Sequence, residues 1–212
     1  SEGHLYEVDM RLRPSGTAGP IASSLNSFRQ YHARESWTWE QMALTRARII
    51  CAPVELKNKI TKIINRALTR RREPQLLSTD IIDMRERILK THKTNFIWDV
   101  KHIRGGLIDV EFISQFLQLL HGHKHPDIFV RDSKSVFKKM LNKKLVSPRI
   151  IYDLLEALEL WQSLQGILRL TIPRETRQLR NHDIPEGLRS KLLELIGTKD
   201  YSTLVRKMNS CL

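Results

Sequence analysis

DVKHIRGGLIDVEFISQFLQLL, residues 99–120, decides how the rest of the chain is read. After Gly105 and Gly106, positions 107, 108, 110, 112, 113, 116, 117, 119 and 120 are apolar, and polarity is confined to Asp109, Glu111, Ser114, Gln115 and Gln118. A helix that is apolar nearly all round belongs in the middle of a bundle, not on its surface. Its polar groups then need partners. Asp109 falls in the first turn, where the helix dipole favours a carboxylate, while Glu111, Gln115 and Gln118 share a stripe. Asp109 and Glu111 are ~200° apart around the axis and cannot act as one acid/base dyad. Two readings stay open for them: structural pairing with Arg46, Arg48, Lys101 or Arg104, or orientation of basic residues around a nucleotide.

Outward from this helix the pattern stays helical. Apolar periodicity and polar or proline starts predict helices over 24–33, 38–50, 53–72, 78–92, 133–142, 147–169, 185–196 and 201–209. Pro74 is expected to stop the helix opened by Pro53, and Ser78 or Thr79 to cap the next one. Only the beginning differs. In HLYEVDMRLR, Tyr6, Val8, Met10 and Leu12 alternate with Glu7, Asp9, Arg11 and Arg13, the period of a half-buried strand, and the turn Pro14-Ser15-Gly16 follows. Residues near Ile21 offer a hairpin partner. A lone hairpin is marginal in water, so this strand is expected to be the trailing edge of a sheet whose other strands lie upstream.

The chain has 212 residues, 41% of them apolar, enough for a core. No run of ~20 apolar residues exists, and no apolar run follows the charged N-terminus; these predict no membrane association and a cytoplasmic location. Cys51 and Cys211 have no metal-like neighbours and read as reduced. His121, His123 and His125 alternate before Pro126, a spacing that fits a helix terminus better than helical metal ligation. Charge is more telling. Lys plus Arg number 36 against 23 Asp plus Glu, a net +13. Lys57, Lys59, Lys62, Arg66, Arg70, Arg71 and Arg72 occur with no acid between them, and such an excess points to an anionic partner. Lys59, Lys62, Arg66 and Arg70 form a stripe on one helix, either a solvated face or a surface for an acidic partner. Trp37 and Trp39 with Glu40, Arg46 and Arg48 make a further cluster, fitted to base stacking or, more commonly, to packing. No nucleic-acid recognition motif accompanies the charge.

The polar face of the first strand mixes carboxylates with guanidiniums, as a Mg²⁺ and phosphate site would, or as a solvated face with ion pairs would. Together, LYEVDMRLRPSGTAGP (5–20), ESWTWEQMALTRARII (35–50) and DVKHIRGGLIDVEFISQ (99–115) resemble the bacterial glutamine synthetase adenylyltransferase/adenylyl-removing enzyme family, specifically its C-terminal, adenylylating half. The resemblance implies a polymerase-β-like nucleotidyltransferase followed by a helical domain, transferring AMP from ATP to a tyrosine of glutamine synthetase. It implies two Mg²⁺ held by three carboxylates, of which Asp9 matches the third, followed by Arg11, Arg13, Ser15 and Gly16. Arg46, Arg48, Lys101, Asp109 and Glu111 are candidates for the nucleotide side.

The Gly-Ser-x-x-Asp-x-Asp motif that supplies the other two acids in that family does not occur here, and the chain alone is expected to be inactive. The expected fold is mainly α: a helical bundle carrying a short N-terminal β-strand/hairpin remnant, divided into 1–52, the trailing part of the nucleotidyltransferase domain, and 53–212, a helical domain. Expected partners are glutamine synthetase and the PII signalling protein, with no nucleic acid. Three other readings are a non-catalytic docking module, the adenylyl-removing half, and, from pI alone, a nucleic-acid binder.

Overall fold

A computed structural model describes residues 8–93, 96–172 and 184–211. It is mainly helical: α1 (Leu25–Gln30), continued by a π-helical turn (Tyr31–Glu35), then α2 (Thr38–Leu44), α3 (Val54–Leu68), α4 (Pro74–His92), α5 (Leu107–His121), α6 (Ser133–Asn142), α7 (Pro148–Thr171), α8 (Glu186–Ile196) and α9 (Tyr201–Ser210).

The helix starts follow local chemistry. Ser24, Asp132, Ser147 and Asp200 cap α1, α6, α7 and α9 by accepting the backbone N–H of Ser27, Ser135, Ile150 and Thr203. At α4 the expectation was displaced. Pro74 does not stop a helix but occupies the first turn of α4, where its missing N–H costs nothing, and Glu73 caps it by accepting from Leu76 N at 2.7 Å. The helix before it ends at Leu68, and the reason is Arg72. Its guanidinium donates to the carbonyls of Ala67 (2.8 Å) and Leu68 (2.8 Å), which another turn of α3 would have used, and to Leu119 O (3.3 Å) on α5. Burial, with Arg70 nearby, pulls the Arg72 pKa down to about 10. One of the seven cations therefore does internal work.

Two apolar clusters form the core. The larger gathers Trp98, Val100, Leu107, Val110, Leu117, Phe137, Met140, Ile151, Trp161 and Leu164, with Leu192, Leu204 and Met208 from α8 and α9. The smaller joins Met42 of α2, Leu68 of α3, Leu77 and Ile81 of α4, and Leu119 of α5. Helix α5 contributes to both, which is the central, buried position its composition requires. Gln118 is 1% exposed, and its amide donates to the carbonyls of Ile128 (3.0 Å) and Val130 (2.8 Å), satisfying the loop behind the helix.

The N-terminal strand and hairpin are not seen. Residues 4–7 of the predicted strand lie outside the described residues, and residues 8–20 form irregular backbone, turns and a short 3₁₀ turn at Gly16–Ala18. No strand occurs among the described residues. The physical reason is that a strand's N–H and C=O groups need a neighbouring strand. Here the bonds are local instead: Arg13 N donates to Met10 O and Gly16 N to Arg13 O. Val8, Met10 and Leu12 are left exposed. Among the described residues, no helix is long and apolar enough to cross a membrane.

Candidate functional site

The predicted site residues separate into three places. The first is the N-terminal loop. Arg11 donates from Nη2 and Nε to Asp9 at 2.6 and 3.0 Å, and its backbone N–H also donates to Asp9, at 2.9 Å. These hydrogen bonds, from the guanidinium first, hold the Asp9 carboxyl down at about 2. Arg13 is turned inward upon its own loop, donating to Gly19 O (3.1 Å), Met10 O (2.9 Å) and Thr17 O (3.4 Å). Ser15 and Gly16 both adopt positive φ, 60° and 54°. Glu7 lies outside the described residues.

The second place is the α2–α5 contact, where Arg46 Nη2 reaches Glu111 at 3.0 Å. This is one of the pairings anticipated for the Glu111 carboxylate. Arg48 and Lys101 are exposed, without an ion pair among the described residues. Trp37 is exposed, and Glu40 is buried as a structural cap, accepting from Trp37 N (2.9 Å) and from the Tyr31 hydroxyl (2.7 Å). Trp39 is half-buried, and neither tryptophan belongs to the two apolar clusters of the core.

The third place surrounds the N-terminus of α5. Asp109 receives Arg85 Nε at 2.6 Å and Nη2 at 2.9 Å, while Gly105 N donates to it at 2.6 Å. Arg85 Nη2 also donates to His102 O (2.8 Å) and Ile103 O (3.0 Å). The double glycine has a structural cause. Gly105 has φ +74°, a conformation L side chains avoid, and a Cβ on Gly106 would stand 2.6 Å from Val100 O. The indole of Trp161 on α7 donates to Gly105 O at 3.1 Å, fastening the turn from the other side.

Arg85 is the residue the sequence reading missed. Its signal was present, since it continues the buried register of Leu77 and Ile81 at four-residue steps on α4. An arginine on a buried stripe needs a carboxylate, and Asp109 provides it. Arg104, one of the candidates for Asp109, pairs with Glu86 instead, at 2.5 Å. Above this ion pair lies a cavity of about 280 Å³, lined by Ile82, Phe112, Ile113 and Phe116 with Arg85 and Asp109 at its polar end.

A Ser15 backbone hydrogen bond to the Tyr31 hydroxyl ties the N-terminal loop to the second place, through the Tyr31–Glu40 bond. The described residues contain no group of three His, Cys, Asp or Glu side chains able to hold a metal ion. The residues present thus do not fit a Mg²⁺ site by themselves: Asp9 is a single carboxylate, and Arg11 already neutralises it. His121, His123 and His125 form no metal cluster either, and the His123 ring lies 3.1 Å from Leu120 O.

Residues 1–63 match the family described as glutamate-ammonia ligase adenylyltransferase, and residues 75–211 match the family described as GlnD PII-uridylyltransferase. Curated relatives named bifunctional glutamine synthetase adenylyltransferase/adenylyl-removing enzyme include one from Rhodopseudomonas palustris CGA009, 43% identical over 80% of this chain and 17% of its own. Another, from Xanthobacter autotrophicus Py2, is 39% identical over 95% of this chain and 20% of its own. A third, from Bradyrhizobium sp. BTAi1, is 43% identical over 97% of this chain and 21% of its own. The chain spans about a fifth of the length of these relatives.

Proposed function

Since the chain belongs to the GlnD PII-uridylyltransferase family through residues 75–211, and its curated relatives are bifunctional glutamine synthetase adenylyltransferase/adenylyl-removing enzymes, we propose that it is part of a nucleotidyltransferase that modifies glutamine synthetase. In this reading it belongs to the half that transfers AMP from ATP to a tyrosine hydroxyl. Residues 1–52 form the trailing part of the nucleotidyltransferase domain, and 53–212 the helical domain behind it. The observation that carries adenylyl over uridylyl transfer is the match of residues 1–63 to an adenylyltransferase family, continued by homology to the bifunctional enzymes across 97% of the chain.

Asp9 is proposed as one Mg²⁺ carboxylate of a site completed by residues outside this chain, with Arg11, Arg13, Ser15 and Gly16 beside the phosphates. Mg²⁺ would supply charge neutralisation for the triphosphate and the attacking oxygen. The chain's own contribution is the Asp9–Arg11 pair, in which the guanidinium orients the carboxylate and holds its pKa at about 2. The Arg46–Glu111 pair ties the segment after α2 to α5, and the Arg85–Asp109 pair ties α4 to α5. The exposed cations Lys59, Lys62, Arg66 and Arg70 are proposed as a docking surface for glutamine synthetase or PII.

The test is AMP incorporation from labelled ATP into glutamine synthetase. The full-length enzyme is expected to label it, Asp9→Asn to abolish labelling while target binding persists, and the 212-residue chain alone to transfer nothing. Near-normal labelling by Asp9→Asn would remove Asp9 from the metal site. Labelling by the chain alone would show that its own residues suffice.

A further inference from the structure

An open groove of about 1110 Å³ runs between α3 and the segment made by α1 and its π-helical turn. Six cations line it: Arg29, Arg34, Lys59, Lys62, Arg66 and Arg70, with no acidic residue in the lining. All six are exposed, and Arg34, Lys62 and Arg66 make no hydrogen bond or ion pair among the described residues. Lys59 is held by Glu55 at 2.5 Å and Arg70 by the carbonyl of Ala33 at 3.0 Å. The floor is apolar, formed by Leu25, Ile63 and Ala67. His32 also lines the groove; it is 5% exposed, and its Nδ1 has no hydrogen-bond partner.

We propose that this groove binds an acidic amphipathic helix of a partner protein. Lys59, Lys62 and Arg66 stand three and four residues apart on α3, a ladder ~10 Å long, with Arg70 just past the helix end at Leu68. That length exceeds a single phosphate group and repeats the spacing at which one face of another helix presents carboxylates. Between the two cationic walls the floor accepts the aliphatic residues of the same helix, the arrangement of helix-in-groove recognition. A single-stranded nucleic acid fits less well, because the lining holds no Phe, Tyr or Trp on which a base could stack. The inference rests on the docking role given above to the α3 cations, and extends it by naming the shape and chemistry of the partner segment and by adding Arg29, Arg34 and the floor to the surface.

The experiment measures fluorescence anisotropy of the chain with a labelled synthetic peptide of about 16 residues, carrying Glu at the three and four spacing and Leu on the adjoining face. Saturable binding that weakens as salt rises is expected. Lys62→Glu with Arg66→Glu should lower affinity at least about tenfold without changing the circular dichroism, because both side chains are exposed and unpaired. Ile63→Asp should weaken it through the floor. Loss of less than about twofold in the double reversal would overturn the groove. Equal binding of the same peptide broken by a central proline, or tighter binding of oligo-dT, would overturn the helical partner. Pull-down of glutamine synthetase separates the two readings. If it persists in the double reversal while the peptide is lost, the groove stands and its role toward that enzyme falls. If it is lost while the wild-type chain never bound the peptide, docking stands and the acidic helix is overturned.

Discussion

Asp9–Arg11 and Asp109–Arg85 have the same closest approach, 2.6 Å, and the same chemistry. They differ in surroundings. The side chains of Asp9 and Arg11 are 56% and 78% exposed, in a loop that touches little else, whereas those of Arg85 and Asp109 are 7% and 22% exposed, between α4, α5 and the double-glycine turn. Water screens the first pair and leaves its contribution to folding small. The second pair has been taken out of water, so its value lies in completeness: removing either member strands the other. The N-terminal loop therefore leaves its ion pair in solvent, and the α5 terminus consumes one to hold its shape.

The strongest way to break this contrast is Arg85→Met. It leaves the Asp109 carboxylate with only Gly105 N, and a loss of about 3–5 kcal/mol in urea unfolding is expected. A loss under about 1 kcal/mol would mean that the pair is solvated after all. Adding Asp109→Leu should restore part of the loss, because the uncompensated charge goes with it. Gly106→Ala tests the turn itself. Its Cβ would press on the backbone oxygens of Val100 (2.6 Å) and Ile103 (2.9 Å), which cannot rotate away, and about 1–3 kcal/mol of destabilisation is expected by the same measurement. Trp161→Phe removes the donor to Gly105 O and should cost about 1–2 kcal/mol, part of it from the lost ring volume; an unchanged midpoint would show that the indole bond is idle.

On the exposed side the expected effects are small and depend on pH. Hydrogen bonding lowers the folded-state pKa of Asp9 to about 2, so any stabilisation from the pair is present above the unfolded value of about 3.9 and is lost as pH falls through about 2. NMR titration should find the Asp9 carboxyl near that value, and Asp9→Asn should leave the unfolding midpoint unchanged at neutral pH. The buried side gives a contrasting signature. Burial lowers the pKa of His32, His102 and His121, so the folded state binds fewer protons than the unfolded chain and stability should fall as pH drops below about 6.5. A flat profile between pH 7 and pH 5 would contradict this.

Much of this organisation was readable from residue spacing. The apolar run 107–120 placed α5 at the centre, the polar starts at Ser24 and Ser147 marked their helices, and Arg46 was among the partners foreseen for Glu111. The errors have physical causes. Pro74 was read as a breaker, although the first turn of a helix tolerates proline as readily as a terminus does. Arg72 was counted with the solvent-facing cations because charge alone does not disclose which guanidinium folds back on helix carbonyls. Arg85 was overlooked because the buried stripe of Leu77 and Ile81 was not followed one step further along α4, where the bundle brings its guanidinium to Asp109. The alternating N-terminal segment carried a true strand periodicity, but periodicity specifies a face, and a strand also needs a neighbour to bond with.

Helix α5 supplies Leu107, Val110 and Leu117 to one apolar cluster and Leu119 to the other. Neither cluster can open without exposing a face of the same helix, so the bundle should melt as one unit. Amide protons along the middle of α5 should exchange only through global unfolding, at the same rate whether the chain is perturbed from α2 or from α7.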